Sequence, residues 1–257
     1  MPENLQTLAA HDWIAGLEKG LHIIEAFDAA HPRLTATEMG ERCGMTRTAA
    51  RRYLKTLAHL GYVGTDGKLY WLTPRILRLG HAYIESARLP RLVQPVLQRI
   101  TSGTDEIAYL GVLDGDDTIF VARSGLQRQT TSGYMPGTRM PAQVTAAGMV
   151  ILACGEEADM DSWLNSHELR SFTSYTTASK EALREKLMTF KRQGWAVSEQ
   201  QLELNFRGIA VPLLDRHNRV QGAISMTMPI NREETDHALN RILPVLQEAA
   251  RGLRPLL

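Results

Sequence analysis

Thr46-Arg47-Thr48-Ala49-Ala50-Arg51-Arg52-Tyr53-Leu54-Lys55-Thr56-Leu57-Ala58-His59-Leu60 is the stretch that decides the reading of the N-terminal third. Thr46 is a natural N-cap, and Ala50, Leu54 and Leu57 then recur at three- and four-residue intervals, which predicts the buried stripe of a helix. Arg47, Arg51 and Lys55 stand four apart on a different face, with Thr48 and Arg52 beside them. Gly61 ends the helix, and Gly44 separates it from the one before. That earlier helix opens at Thr35, where Glu38 three residues on completes a capping box, and Met39 and Cys43 fall on its apolar side. Further upstream, Ile14, Leu17, Leu21, Ile24 and Phe27 predict the apolar stripe of a first helix, which Pro32 ends. Downstream, Tyr62-Val63 and Leu69-Tyr70-Trp71-Leu72 flank a turn at Asp66-Gly67, a two-stranded hairpin.

Two short helices joined by a Gly-containing turn, the second with a basic face, describe a helix-turn-helix, and the hairpin is its wing. From Arg42 to Arg78 there are eight basic residues against Asp66 alone, a local charge of +7. A helix fits the major groove, residues near its N-terminus reach base edges, and Arg grips guanine with two hydrogen bonds. The DNA-contacting candidates are Thr46, Arg47, Thr48, Arg51, Arg52, Lys55 and, at the wing tip, Lys68. Consecutive arginines cannot both point at bases, so one of Arg51 and Arg52 contacts phosphate. The bland alternative is a small helical bundle with a solvated basic face.

Composition bounds the rest. The chain has 257 residues, 44% hydrophobic and 22% charged, which suits an ordinary globular protein of one or two domains. With 29 basic and 28 acidic residues the net charge is +1, so any affinity for nucleic acid must come from a local patch. Cys43 and Cys154 are too few for a disulfide framework or a Cys-rich zinc site. No apolar run reaches the roughly 20 residues of a membrane span, and Met1 to Ala10 lacks the pattern of a signal peptide. A cytoplasmic location with no membrane contact is expected. Cys154 has no His-rich neighbourhood, the eight histidines are scattered, and His167 beside Glu168 is poor chelation geometry. There is no Gly-rich phosphate loop and no Gly-x-Ser-x-Gly elbow. The expectation is therefore no enzyme, no metal and no cofactor.

The chain divides into residues 1–72, a connector over 73–101, and 102–257. Thr73-Pro74 starts a connector helix that runs to about Ala87; Pro90 breaks it, and a second runs from Arg91 to Ile100. Their apolar residues have no partner within the head, so they pack on a second subunit or on the C-terminal part. Beyond them, Ile107–Leu113 and Thr118–Arg123 predict a hairpin through Asp114-Gly115-Asp116. Thr130–Pro141 reads as a loop, and Pro141–Ala153 as a helix of small residues. Asp159–Asn165 and Ser179–Gln193 follow as helices, the second stopped by Gly194. Trp195–Glu199, Gly208–Leu214 and Val220–Met228 are three more strands, the last two joined by a turn at Arg216–Arg219. Asn231 with Glu234 caps a final helix, which Pro244 kinks. At least five largely antiparallel strands carrying helices make an α+β domain. A helix of Ala and Gly beside a sheet leaves room for a small ligand, or serves close helix–sheet packing.

The chain resembles the IclR family of transcriptional regulators from about Trp13 to Ala250. The head match rests on Gly16-Leu17-Glu18-Lys19-Gly20-Leu21, on Ala49 to Leu57, and on Leu72-Thr73-Pro74-Arg75-Ile76-Leu77-Arg78-Leu79-Gly80. The C-terminal match rests on Pro136-Gly137-Thr138-Arg139-Met140-Pro141, Thr145-Ala146-Ala147-Gly148, Phe206-Arg207-Gly208-Ile209-Ala210-Val211-Pro212 and Gly222-Ala223-Ile224-Ser225. The Ala-Ala-Arg-Arg-Tyr-Leu and linker strings resemble the branch that governs protocatechuate and 4-hydroxybenzoate catabolism. The resemblance implies a winged helix-turn-helix head, a GAF-like effector domain, homodimers or tetramers, and a double-stranded DNA operator. Carried over by position, the effector pocket falls on Ala146, Ala147, Ser198, Phe206, Gly208, Ser225 and Thr227. A buried aromatic acid also wants a cation, and Arg123, at a strand end, is the candidate. Arg139 and Arg207, matched widely in the family, are read as structural.

The expected function is thus a regulator of aromatic-compound catabolism that responds to a small aromatic acid. The linker helix would convert effector binding into recognition-helix spacing, and so into operator affinity or contact with RNA polymerase. The alternatives are a regulator of another carboxylic-acid pathway, a constitutive DNA-binding protein whose second domain only oligomerises, and an enzyme.

Overall fold

The computed structural model describes residues 9, 11–125 and 134–257. The Met1–Ala10 segment, residue 9 apart, and the first part of the expected Thr130–Pro141 loop lie outside the described residues. The chain falls into two compact units divided between Tyr83 and Ile84.

In the first unit α1 (Ala15–Glu25), α2 (Ala36–Arg42) and α3 (Arg47–His59) pack around Ile23, Met39, Ala50 and Leu54. The Thr35–Glu38 capping box is present, with each partner satisfying the other's backbone N–H. Gly44 takes the left-handed conformation, φ +61°, that lets the chain turn between α2 and α3. Strands β2 (Val63–Thr65) and β3 (Leu69–Leu72) form the hairpin. A short strand β1 (Leu34–Thr35) pairs with β3 and makes the wing a three-stranded sheet, which the sequence pattern does not announce. The stripe expected on α1 is corrected. Ile14, Leu17 and Leu21 are 68%, 61% and 46% exposed, whereas Ile23 is fully buried and Phe27, four residues on, packs beside it. The helix has two apolar faces, and only one meets α2 and α3.

A 3₁₀ turn at Pro74–Ile76 leads into α4 (Leu77–Ser86), which has no buried residue. The next helix, α5, spans Arg88–Thr104, so Pro90 sits in its first turn, where a missing N–H costs nothing, instead of breaking a helix. Val93, Val96, Leu97 and Ile100 of α5 belong to the core of the second unit, so this half of the expected connector is part of that unit.

The second unit is a six-stranded antiparallel sheet, order β6-β5-β4-β9-β8-β7. Its strands are β4 (Ile107–Asp114), β5 (Asp117–Ser124), β6 (Arg139–Pro141), β7 (Ala196–Glu199), β8 (Phe206–Leu214) and β9 (Val220–Pro229). Helices α6 (Ala146–Cys154), α7 (Glu157–Ser166) and α8 (Lys180–Gln193) cover one face; α5 and α9 (Thr235–Leu253) cover the other. Strand β6 lies inside the stretch read as loop, because its Gly137, at φ +91°, turns the chain back onto β5. The small-residue helix starts at Ala146, not Pro141, capped by Thr145. The expected Asn231–Glu234 cap is absent: Asn231 sits in a 3₁₀ turn (Ile230–Arg232), and Glu234, at the N-cap position, makes no side-chain cap bond. No helix among the described residues is long and apolar enough to cross a membrane.

Candidate functional site

In the head, Thr46 Oγ1 accepts the Ala49 N–H at 3.3 Å and fixes the start of α3. Ala50 and Leu54 point into the core, which leaves Arg47, Thr48, Arg51, Arg52 and Lys55 exposed. Arg47, Arg51 and Lys55 form one row along the helix, as i, i+4 spacing demands. Lys68 is exposed in the wing turn, where Asp66 accepts the N–H groups of Lys68 and Leu69 at 2.9 and 2.8 Å. Those backbone bonds hold the Asp66 carboxyl below the usual carboxylate range, so it keeps its charge beside Lys68. Arg42, counted in the basic stretch, is spent elsewhere: it bonds Asp28 at 2.7 Å and the Ala26 carbonyl at 3.1 Å. Arg33, which the pattern did not single out, lies with its guanidinium 4.3 Å from the Trp71 ring centroid, beside the wing. The strand pairing of Leu34 with Tyr70 brings it there, a contact between segments far apart in sequence.

In the second unit the covered face of the sheet carries two rows of opposed residues. One runs Ser198–Gly208–Thr227–Ile107 and the other Ala196–Ala210–Ser225–Tyr109–Arg123. Over them stands the N-terminus of α6. Between sheet and helix lies a small cavity of about 50 Å³, partly open to solvent. It brings together Ala146, Ala147, Ser198, Phe206, Gly208, Ser225 and Thr227, and adds Phe120, Tyr134, Thr145, Gln201 and Glu203. Phe120 and Tyr134 are stacked, centroids 5.1 Å apart and planes 3° from parallel, with Tyr109 tilted against both. Ser198 cannot donate to a ligand, because its hydroxyl donates to the Val144 carbonyl at 2.6 Å. Ser225 and Thr227 supply the hydroxyls.

Arg123 does not line this cavity. It faces the same side two strands from Ser225, a separation of about 10 Å, with the aromatic cluster between. One of its guanidinium nitrogens is buried without a hydrogen-bond partner among the described residues. Arg207 is among the lining residues, but each of its three guanidinium nitrogens already donates within the protein. It bonds Glu199, the Glu233 carbonyl at 3.1 Å and Thr235 Oγ1 at 2.8 Å. What faces the cavity instead is the positive end of α6: the first-turn N–H groups of a helix have no intrahelical acceptor, and Ala146 and Ala147 occupy that turn. Gly208 allows the approach, since a Cβ there would lie 3.3 Å from Ala146 Cβ. Further along α6 the small residues serve packing, because a Cβ on Gly148 would fall 2.5 Å from Ala142 and Thr118. Both uses of the Ala/Gly helix coexist, at different ends.

A winged helix-turn-helix head with a separate sheet domain that holds a small-molecule cavity defines a two-unit DNA-binding regulator of transcription. The sequence matches the IclR helix-turn-helix domain over residues 16–67 and the bacterial transcriptional regulator IclR C-terminal domain over 81–254. The chain belongs to the IclR family, whose members are transcriptional regulators and not enzymes. It is 38% identical to the Pca operon regulatory protein of Acinetobacter baylyi over 258 residues, 99% of this chain and 93% of that protein. It is 35% identical to the p-hydroxybenzoate hydroxylase transcriptional activator of the same organism, over 99% of this chain and 96% of that one. Its fold matches the inducer-binding domain of the PobR transcription factor from Acinetobacter, solved as a double mutant with 3-hydroxybenzoic acid. The TM-score there is 0.62 at 28% identity, covering 66% of this chain and 100% of that one.

Proposed function

We propose that this regulator controls genes of aromatic-acid catabolism and that its cavity binds a small aromatic acid, protocatechuate or 4-hydroxybenzoate first among them. The observation that carries the reading is the cavity itself: aromatic faces from Phe120, Tyr134 and Phe206 meet the positive end of α6. The ring lies among the aromatics, and the carboxylate is received by the Ala146 and Ala147 N–H groups in place of a side-chain cation. The relatives named above include a p-hydroxybenzoate hydroxylase transcriptional activator and an inducer-binding domain solved with 3-hydroxybenzoic acid, which supports this choice.

The head binds operator duplex through α3, with Arg47, Thr48, Arg51, Arg52 and Lys55 on the groove side, Thr46 at the helix start and Lys68 on the wing. The exposed faces of α1 (Ile14, Leu17, Leu21) and α4 (Leu77, Leu79, Tyr83, Ile84) are covered in a homodimer, or in a tetramer of two dimers. The protein works in the cytoplasm. Effector bound with different affinity in two arrangements of the dimer shifts recognition-helix spacing, and with it operator affinity or RNA polymerase contact.

Calorimetry and thermal melting with 4-hydroxybenzoate and protocatechuate test the reading. Ligand at 100 times its dissociation constant adds about 2.7 kcal/mol of apparent stability. No heat and no shift with any aromatic acid removes the effector role and leaves a DNA-binding protein whose second domain only oligomerises.

A further inference from the structure

Among the described residues one carboxylic acid lies in the cavity wall, Glu203, and nothing so far explains it. Glu203 is exposed yet lines the cavity, so it stands at the open side, while Ala146 and Ala147 form the buried end. Its loop is a built one. Gln200 and Asn205 bracket it in left-handed conformations, φ +54° and +66°, and the Asn205 N–H donates to Gln200 Oε1 at 3.0 Å. The side chain of buried Gln201 ties the same loop to the facing segment: it donates to the Tyr175 carbonyl at 2.6 Å and accepts the Thr177 N–H at 2.8 Å. Glu203 is therefore carried on a fixed rim, not on a free tip. Tyr134 is close enough to feel it: burial pushes the Tyr134 phenol up, and the negative charge of Glu203 adds to that shift. None of the ion pairs among the described residues engages Glu203.

We propose that Glu203 is a specificity-determining residue that selects aromatic acids carrying a hydroxyl opposite the carboxylate and rejects those carrying a second carboxylate there. The inference rests on the aromatic-acid reading above. A ring whose carboxylate sits at the α6 N-terminus directs its far substituent to the open side. A phenolic hydroxyl there donates to the Glu203 carboxylate, a charge-assisted hydrogen bond. A second carboxylate there meets a like charge and cannot donate. An unsubstituted ring leaves the Glu203 oxygens to water and gains nothing.

The test is calorimetry on the full chain with 4-hydroxybenzoate, benzoate and terephthalate, for the wild type, Glu203→Gln and Glu203→Lys. The wild type is expected to bind in that order of strength, with terephthalate at least tenfold weaker than 4-hydroxybenzoate. Glu203→Gln should shrink that ratio about tenfold, and Glu203→Lys should bring terephthalate level with or ahead of 4-hydroxybenzoate. Operator binding without ligand serves as the folding check for each variant. Unchanged ratios in both variants overturn the role of Glu203 while leaving the aromatic-acid reading intact. A wild type that binds none of the three acids overturns that reading, and this inference with it.

Discussion

Gly148 shows how much a single hydrogen atom decides. A methyl group there would meet the Ala142 backbone and the Thr118 hydroxyl at 2.5 Å, and Thr118 is fully buried. Neither neighbour can retreat without moving a strand or a turn, so Gly148→Ala should cost about 1–3 kcal/mol, read as a lowered melting temperature. Arg47 and Arg51 act outward. Replacing either with Ala should weaken specific operator binding by about 1–3 kcal/mol if it reads a base, and mainly flatten the salt dependence if it touches phosphate. Operator affinity unchanged in both would remove α3 from the DNA face. Phe206 divides the two functions: Phe206→Gln should abolish the effector response and spare DNA binding, measured as operator binding with and without 4-hydroxybenzoate.

At the level of elements, the α6 cap joins stability to ligand binding. Thr145 Oγ1 accepts the Gly148 N–H at 3.1 Å and shares a hydrogen bond with Thr118 at 2.9 Å. Thr145→Ala removes both and should destabilise the unit by roughly 1 kcal/mol, with a parallel loss of effector affinity because the helix end at the cavity frays. Elements closed by local bonds were legible beforehand: the Thr35–Glu38 box, the Thr46 cap, and α8 stopped by Gly194. Those made by distant partners were not. β1 exists only because β3 lies beside it, and β6 only because β5 does. The stripe on α1 differs from expectation because periodicity finds an apolar face without saying what it meets.

For the molecule as a whole, acid should loosen both units. Glu233 is held below the usual carboxylate range first by its hydrogen bond from Arg241. Glu38 is lowered by the N–H and hydroxyl of Thr35. A carboxyl depressed in the folded state stabilises at neutral pH and loses that contribution as pH falls below about 4. Melting temperature against pH should therefore drop on the acid side, and Glu233→Gln should flatten that limb. The cavity was partly legible in the same sense as the fold. Small residues and hydroxyls on strands followed from the resemblance, and all of those lie around one hollow. Arg123 does not join them, because the strand order puts β4 and Tyr109 between it and Ser225, a feature of pairing and not of residue type. Gln201, Leu202 and Glu203 sit on an irregular loop with no period to read.

The connecting helix α4 has a consequence of its own. Ten residues without one side chain in a core make a helix at the edge of stability in water. Whatever settles on its apolar side sets how stiff the joint between reader and sensor is. If the proposed homodimer is what covers that side, dilution that parts two copies should speed amide exchange across residues 77–86 before it disturbs either core, and rigidity of the joint becomes a matter of concentration.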